Sequence, residues 1–234
     1  MSGSPLGDTA PTAVELLLSG PPDLAHYAEA AEKGPIEHLL RLVESARWQD
    51  ERVEPGVLQM LGGGSAGHSL QEYLDEVDRE MTRNRPALQA AARLLEPWFE
   101  VVERALGARP RPATHDSGDA ALCRIQRWRD AFSVPVHEDV SQLSAPDLKG
   151  FKARLVDRVF AVHFFASAAS TTTFRHFRSP DDPASAEDRH VRSGDLVVLD
   201  GSLPHAIFAV GQGHTVMVNT FFGTTPAGEI ICWT

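Results

Sequence analysis

The sequence has few cysteines and few basic residues. Among 234 residues only Cys123 and Cys232 are cysteines, and they form neither a CxxC pair nor a zinc-type spacing. We therefore expect no disulfide framework and a reducing compartment, the cytoplasm. With 22 Lys and Arg against 32 Asp and Glu, the formal net charge is −10. This balance argues against a surface for nucleic acid or for an anionic membrane.

Segments that would indicate other classes of protein are also missing. The N-terminus lacks a basic segment followed by an apolar run, so we expect no secretory signal. The longest early apolar stretch, residues 14–18, is too short to span a bilayer. The glycine run at 62–64 is no GxxxxGK[ST] phosphate loop, and no GxSxG elbow occurs. A phosphate-binding loop and a serine hydrolase therefore have no support.

The N-terminal half has the periodicity of helices. Leucines and a valine recur at helical spacing over residues 39–43, and residues 87–95 are strong helix formers. Gly107, followed by two prolines, marks a clear stop. We expect residues 1–12 to be disordered and residues 13–117 to form a mainly helical portion.

After residue 118 the pattern changes to that of strands. Residues 122–128 alternate apolar and polar side chains at period two, and residues 159–165 form a mostly apolar strand. Further stretches with strand composition follow at residues 171–177, 194–200 and 215–222. Short strands without alternating helices predict an antiparallel sandwich or barrel. The predicted fold class is α+β, with a jelly roll over residues 118–234 and the helices packed beside it.

Three residues have the composition of a metal site. His137 and Asp139 follow a predicted strand, and in an extended chain residues two apart point to the same side while Glu138 points away. His205 follows a later strand and a Ser-Leu-Pro turn, near a strand end where a neighbouring sheet would bring it beside them. Two imidazoles and one carboxylate can hold Fe(II) on one face and leave positions open for a cosubstrate and O2. The alternative is a surface HxD turn with an unrelated loop histidine.

The same residues carry a resemblance to the Fe(II)/2-oxoglutarate-dependent dioxygenases, especially the prolyl-hydroxylase-like small-molecule hydroxylases. In that family a strand leads into HxD, and a later Gly-Asp-x-x-x-Phe/Leu-Asp-x-x-x-x-His segment carries the second histidine, as residues 194–205 do here. The resemblance covers about residues 122–223. It implies a double-stranded β-helix within a single catalytic domain over residues 13–234.

The resemblance also implies cofactors and partners. Fe(II) would be held by His137, Asp139 and His205, with 2-oxoglutarate as the cosubstrate and O2 as the oxidant. The substrate would be a small molecule such as an amino acid or a natural-product intermediate, which is hydroxylated or otherwise oxidised. We expect no nucleic-acid or membrane partner. The helical half could form a lid, a substrate wall or a homodimer contact.

One element of the family pattern is missing. Relatives carry an arginine ten positions after the second histidine, where it pairs with the distal carboxylate of 2-oxoglutarate, and this chain has Thr215 there. A buried carboxylate requires a cation or several hydrogen bonds. Arg175 is the first candidate for that partner. The strand before HxD offers Arg124 or Arg127, which lie on opposite faces so that at most one can face the interior, and of these we select Arg127. The hydroxyl of Thr215 itself and His214 are the remaining candidates.

Two other functions stay open. The missing arginine favours an Fe(II) oxygenase with the same triad that does not use 2-oxoglutarate. A jelly roll that binds a ligand or a partner without catalysis is the second alternative. Among the remaining histidines, we expect His163 to line the core or the pocket, and His176 and His190 to be exposed beside a polar loop.

Overall fold

The secondary structure consists of α-helices and of strands that lie before, between and after them. The computed structural model describes residues 17, 19–21, 23–52, 57–61, 79, 82–112, 123–139, 156, 158–169, 171–179 and 182–233. The elements are β1 (Leu24–Tyr27), α1 (Lys33–Glu44), β2 (Gln49–Arg52), β3 (Val57–Leu61), α2 (Arg85–Leu106), β4 (Arg111–Pro112), β5 (Arg124–Arg129), β6 (Phe132–His137), β7 (Phe160–Ser167), β8 (Thr173–Phe177), a 3-10 turn (Pro183–Ser185), β9 (Ala186–His190), β10 (Leu196–Asp200), β11 (His205–Ala209), β12 (His214–Thr224) and β13 (Ile230–Trp233). The predictions of disorder at 1–12 and of a glycine loop at 62–64 lie outside the described residues.

The strands form two sheets. The larger has the order β1-β10-β7-β12-β5-β3-β2, with β13 beside β12 and β4 beside β13, and the smaller has the order β6-β11-β8-β9. Neighbours are antiparallel except β13 and β4. From β5 to β12 the chain passes repeatedly between the two sheets. The result is the predicted antiparallel, jelly-roll-like arrangement.

The larger sheet has a different apolar core on each face. On β12, Val216 and Val218 belong to the cluster formed with the helices, whereas Met217 and Phe221 belong to the cluster between the two sheets. This alternation follows from the period of two in a strand. Helix α2 closes the outer face with apolar side chains at helical spacing, including the fully buried Leu95. The space between the two sheets is thus lined by one side of these strands.

The N-terminal half contributes more strands than the sequence predicted. Helices α1 and α2 supply most of the regular structure described within residues 13–117, but β1 pairs with β10, and β2 and β3 extend the larger sheet beyond β5. The prediction missed these strands because two to five residues are too few to establish a period. Pro97 lies inside α2 without ending it. Among the described residues, no helix has the length and apolarity that crossing a bilayer requires.

Candidate metal centre

The centre lies where β6 ends and β11 begins. His137 is the last residue of β6 and is directly paired with His205, the first residue of β11. His137 Nε2 lies 3.8 Å from Asp139 Oδ1, and His205 Nε2 lies 3.6 Å from Asp139 Oδ2. One ligand atom from each of the three residues falls within 4.8 Å of the others. The structure therefore brings together the three residues selected from the sequence.

Backbone carbonyls fix the orientation of both imidazoles. His137 Nδ1 is 2.8 Å from the carbonyl of Pro135, and His205 Nδ1 is 3.0 Å from the carbonyl of Leu203. A carbonyl only accepts, so each Nδ1 carries a proton, and in the neutral ring of this tautomer the lone pair is on Nε2. His205 Nε2 is buried and has no hydrogen-bond partner among the described residues. A divalent metal would satisfy this atom, and such histidine pairs with oriented Nδ1 atoms fit a metal.

A braced turn sets the position of His205. The Asp200 carboxylate accepts hydrogen bonds from the Ser202 amide at 2.9 Å and from Arg158 Nε at 2.9 Å. The Leu203 amide donates to the Asp200 carbonyl at 3.0 Å. Since the Leu203 carbonyl in turn accepts from His205, the turn determines where the ring points. This explains the second aspartate of the Gly-Asp-x-x-x-Leu-Asp segment.

Burial keeps His205 neutral. The side chain is 0% exposed, and burial lowers the pKa of His205 below its ordinary value, an effect that the nearby Asp139 carboxylate opposes. The Phe174 ring stacks on its face with centroids 5.4 Å apart and planes 6° from parallel. His137 is 23% exposed whereas Asp139 is 4% exposed. The centre is therefore closed on the His205 side and opens to solvent beside His137.

Arg175 does not reach the centre. Its neighbours Phe174 and His176 are buried, so alternation along β8 turns Arg175 to the outer face. There its Nε and Nη2 atoms bind the two Asp188 oxygens at 2.6 and 2.7 Å. This bidentate pairing replaces the carboxylate contact expected from the sequence, and Arg175 is not retained as a cosubstrate residue.

Of the two arginines of β5, Arg124 faces the interior and Arg127 does not. Arg127 lies opposite Val216 and stacks over the Trp48 ring, with its Cζ 4.1 Å from the centroid, on the side of the helices. Arg124 donates from Nε to Asn219 Oδ1 at 2.9 Å. As expected, only one of the two faces the space between the sheets, and it is Arg124 and not Arg127.

Thr215 is buried and faces the interior near the start of β12. Its Oγ1 is 3.1 Å from Thr172 Oγ1 and accepts from the Ala169 amide at 3.3 Å. It is four positions from Asn219 along β12, or roughly 13 Å of strand. His214, the other candidate, is exposed at the start of the strand.

Two further histidines surround the centre. His163, on β7, has its ring centroid 5.9 Å from that of His205, which agrees with an interior position. His176 is directly paired with His205 on β8 and is 2% exposed, so the expectation that it is exposed is wrong. His176 lies two positions after the apolar Phe174 and so shares its face of the strand, and this spacing is the sequence signal for its burial. His190 is exposed, as predicted.

Comparison with known proteins gives a likeness of structure only. No family model matches the chain, and no curated protein matches it either. An oxidoreductase of the 2OG-Fe(II) oxygenase family from Burkholderia pseudomallei is similar with a TM-score of 0.57 and 13% identity, over 92% of this chain and 90% of that one. HygX from Streptomyces hygroscopicus, solved with nickel and 2-oxoglutarate bound, is similar with a TM-score of 0.54 and 12% identity, over 86% of this chain and 82% of that one. A prolyl-4-hydroxylase from Pseudomonas putida is similar with a TM-score of 0.50 and 14% identity, over 90% of this chain and 96% of that one.

These likenesses establish the fold. The chain has the fold of the 2OG-Fe(II) oxygenases, and the resemblance drawn from HxD and the distal histidine is confirmed at that level. At such low identity the activity does not follow from the fold. It has to be argued from the residues of the centre.

Proposed function

We propose that this protein is a non-haem Fe(II) oxygenase that uses 2-oxoglutarate and O2 to hydroxylate or otherwise oxidise a small molecule. The convergence of His137 Nε2, His205 Nε2 and the Asp139 carboxylate carries the proposal. The fold supports it, because HygX binds nickel and 2-oxoglutarate in a similar structure. We also propose that β5 to β12 form a double-stranded β-helix, within a single catalytic domain over residues 13–234.

The donor set fits Fe(II). His137, Asp139 and His205 would hold the metal on one face, and two imidazoles with one carboxylate are the set that leaves the opposite positions open. Bound iron and 2-oxoglutarate would supply the oxidising power, through oxidative decarboxylation of the oxo acid with O2. The chain itself keeps the two Nε2 lone pairs available, through the carbonyls of Pro135 and Leu203. Phe174 covers one imidazole and limits the access of water.

Arg124 is the proposed cation for the cosubstrate. It lies on the interior face of β5 and its Cζ is 5.7 Å from the centroid of the Phe221 ring. A guanidinium held in a partly buried, low-dielectric setting attracts a carboxylate more strongly than one in water. Thr215, also on the interior face, would contribute a hydroxyl at most. Arg124 thus replaces both Arg175 and Arg127 in the hypothesis.

A second candidate function uses the same metal centre without 2-oxoglutarate. The observation that favours it is Thr215, because this position lacks the arginine that the family pattern places there. The substrate class, a free amino acid or natural-product intermediate, belongs to the proposal in either case. So do the cytoplasmic location and a homodimer.

Oxygen uptake and succinate release by the purified protein with Fe(II) separate these candidates. Iron-dependent succinate formation from 2-oxoglutarate supports the first function. Uptake of O2 that depends on a candidate amino acid, without succinate, supports the second. A protein that binds no Fe(II), and whose His137→Ala and His205→Ala variants behave as wild type, would exclude both and leave a binding module.

A further inference from the structure

Three polar side chains form a row across the interior face of the larger sheet. Asn219 on β12 is directly paired with Arg124 on one neighbouring strand and with His163 on the other. Arg124 Nε lies 2.9 Å from Asn219 Oδ1, and Asn219 Nδ2 lies 3.0 Å from His163 Nδ1. All three therefore share a continuous hydrogen-bonded row that ends at His163.

The direction of each hydrogen bond follows from Arg124. A guanidinium only donates, so the amide atom it meets is the oxygen of Asn219. The other end of that amide is the NH2 group, which donates to His163 Nδ1. An imidazole that accepts at Nδ1 is neutral and carries its proton on Nε2. Burial, which lowers the pKa of His163 to about 3, agrees with a neutral ring.

The proton on His163 Nε2 has no acceptor among the described residues. The side chain is 4% exposed, and Nε2 is buried without a hydrogen-bond partner there. Nε2 is the ring atom far from the backbone, so it extends into the interior, where the centroid of the His205 ring lies 5.9 Å from the centroid of the His163 ring. A buried donor without an acceptor costs free energy, and such groups need an explanation.

The two unsatisfied atoms have opposite roles. His205 Nε2 has a lone pair, because its Nδ1 donates to the carbonyl of Leu203, whereas His163 Nε2 has a proton. The centroids of the two rings are 5.9 Å apart, and neither Nε2 atom has a hydrogen-bond partner among the described residues. A cation at His205 together with an oxygen acceptor at His163 would satisfy both. An oxo acid chelated to the metal supplies that combination.

We infer that His163 donates a hydrogen bond from Nε2 to a carboxylate oxygen of the oxo acid that chelates the metal. Asn219, which Arg124 orients, is a positioning residue in this inference, because it holds His163 in the donor tautomer. The inference rests on the proposed function and extends it to a binding residue on β7. A histidine that only filled the core would not need a single fixed tautomer, nor the hydrogen bonds from Arg124 through Asn219 that fix it.

The tautomer is testable without any cosubstrate. Nitrogen NMR of the full-length protein with 15N-labelled histidine distinguishes protonated from bare ring nitrogens. For His163 we expect a protonated Nε2 and a bare Nδ1. In Asn219→Asp the carboxylate accepts from both Arg124 and His163, so the proton should move to Nδ1. A wild-type protein with its proton on Nδ1 would overturn the inference.

Binding of 2-oxoglutarate to the nickel-loaded protein, measured by calorimetry, tests the contact itself. His163→Leu should raise the Kd at least about tenfold, the usual effect of losing a hydrogen bond to a charged group. His163→Gln keeps a donor and should stay within about threefold of wild type. Asn219→Asp should weaken binding although His163 is present. His38→Leu, at an exposed position on α1, is the control.

The outcomes are distinct. Each variant is first shown to bind nickel as wild type does, so that a folding or metal defect is detected. If wild type binds 2-oxoglutarate and His163→Leu binds it equally well, the inference is wrong and the proposed function stands. If wild type binds no 2-oxoglutarate, the proposed use of this cosubstrate fails, and the inference fails with it.

Discussion

His137 and His205 lie directly across from each other on β6 and β11, with ring centroids 4.3 Å apart. The register between these strands shifts just beyond this pair, since Ile207 is opposite Val134. Pro135 and Val136 of β6 thus stand opposite the single residue Ala206 of β11, an excess of one residue. Pro135 has no amide hydrogen that would lose its strand partner, and its carbonyl orients His137. A bulge of this kind re-aims a side chain at a functional site. The metal centre thus depends on one strand pairing.

The first prediction concerns the turn that orients His205. Asp200→Ala removes the acceptor for Ser202 and Arg158, so Leu203 loses its fixed position although all three proposed ligands remain. Nickel affinity should fall about 10-fold to 100-fold, the usual effect of losing an outer partner of a metal ligand. Titration calorimetry measures this, and Asp188→Ala on the outer face of β9 is the matched control. Equal affinities in the two variants would show that the turn has no such role.

The second prediction separates the two arginines. Arg124→Met should raise the Kd for 2-oxoglutarate about tenfold or more, because a charged partner of the carboxylate is removed. Arg175→Met should leave that Kd unchanged, since Arg175 binds Asp188 on the outer face. It should also cost no more than about 1 kcal/mol of stability, as exposed ion pairs do. The reverse order of effects would restore Arg175 as the cosubstrate residue.

The third prediction concerns the thiols. Cys123 and Cys232 are both buried thiols, and burial raises the pKa of Cys123 to about 12. A thiol that stays protonated and that the reagent cannot reach reacts slowly. Ellman's reagent at pH 8 should therefore modify neither cysteine in the folded protein and both after denaturation. Rapid modification under native conditions would contradict this packing.

The fourth prediction concerns stability at low pH. An unfolded histidine has a pKa near 6.5, and burial lowers the pKa of His163 in the folded protein to about 3. Below pH 6.5 the unfolded chain therefore binds a proton that the folded chain does not. The free energy of unfolding of the metal-free protein should fall by about 1.4 kcal/mol per pH unit for this proton as the pH drops toward 3.

Urea titrations between pH 4 and 6 measure that slope. In His163→Gln the slope should be smaller by about one proton. His38→Leu removes an exposed histidine and should leave the slope as it is in wild type. Identical slopes for His163→Gln and wild type would mean that His163 is protonated in the folded state.

The sequence predicted the centre better than its surroundings. HxD after a strand and the Gly-Asp segment before His205 are local patterns, so the three proposed ligands could be selected and the structure brings them together. Which face of a sheet a strand residue occupies changes with a shift of one residue, and the register is not known from the sequence. The sequence therefore could not place the side chains of Arg124, Arg127 and Arg175. A one-residue error exchanges the interior and the outer face, so the sequence alone could not decide between Arg124 and Arg127.

The row behind the centre could not be derived from sequence spacing. Arg124, His163 and Asn219 come from three strands, and only the order β5-β12-β7 places them side by side. The strands of the N-terminal half were missed for a related reason. Leu24–Tyr27 has four residues and is a strand because the edge of β10 is available to it.

We propose that His137, Asp139 and His205 together hold a divalent metal. A crystal structure of the protein grown with nickel and 2-oxoglutarate, with anomalous data collected at the nickel edge, would locate that metal. We expect one strong anomalous peak about 2 Å from His137 Nε2, His205 Nε2 and an Asp139 oxygen. A nickel peak elsewhere, with these three side chains unchanged and unliganded, would contradict it.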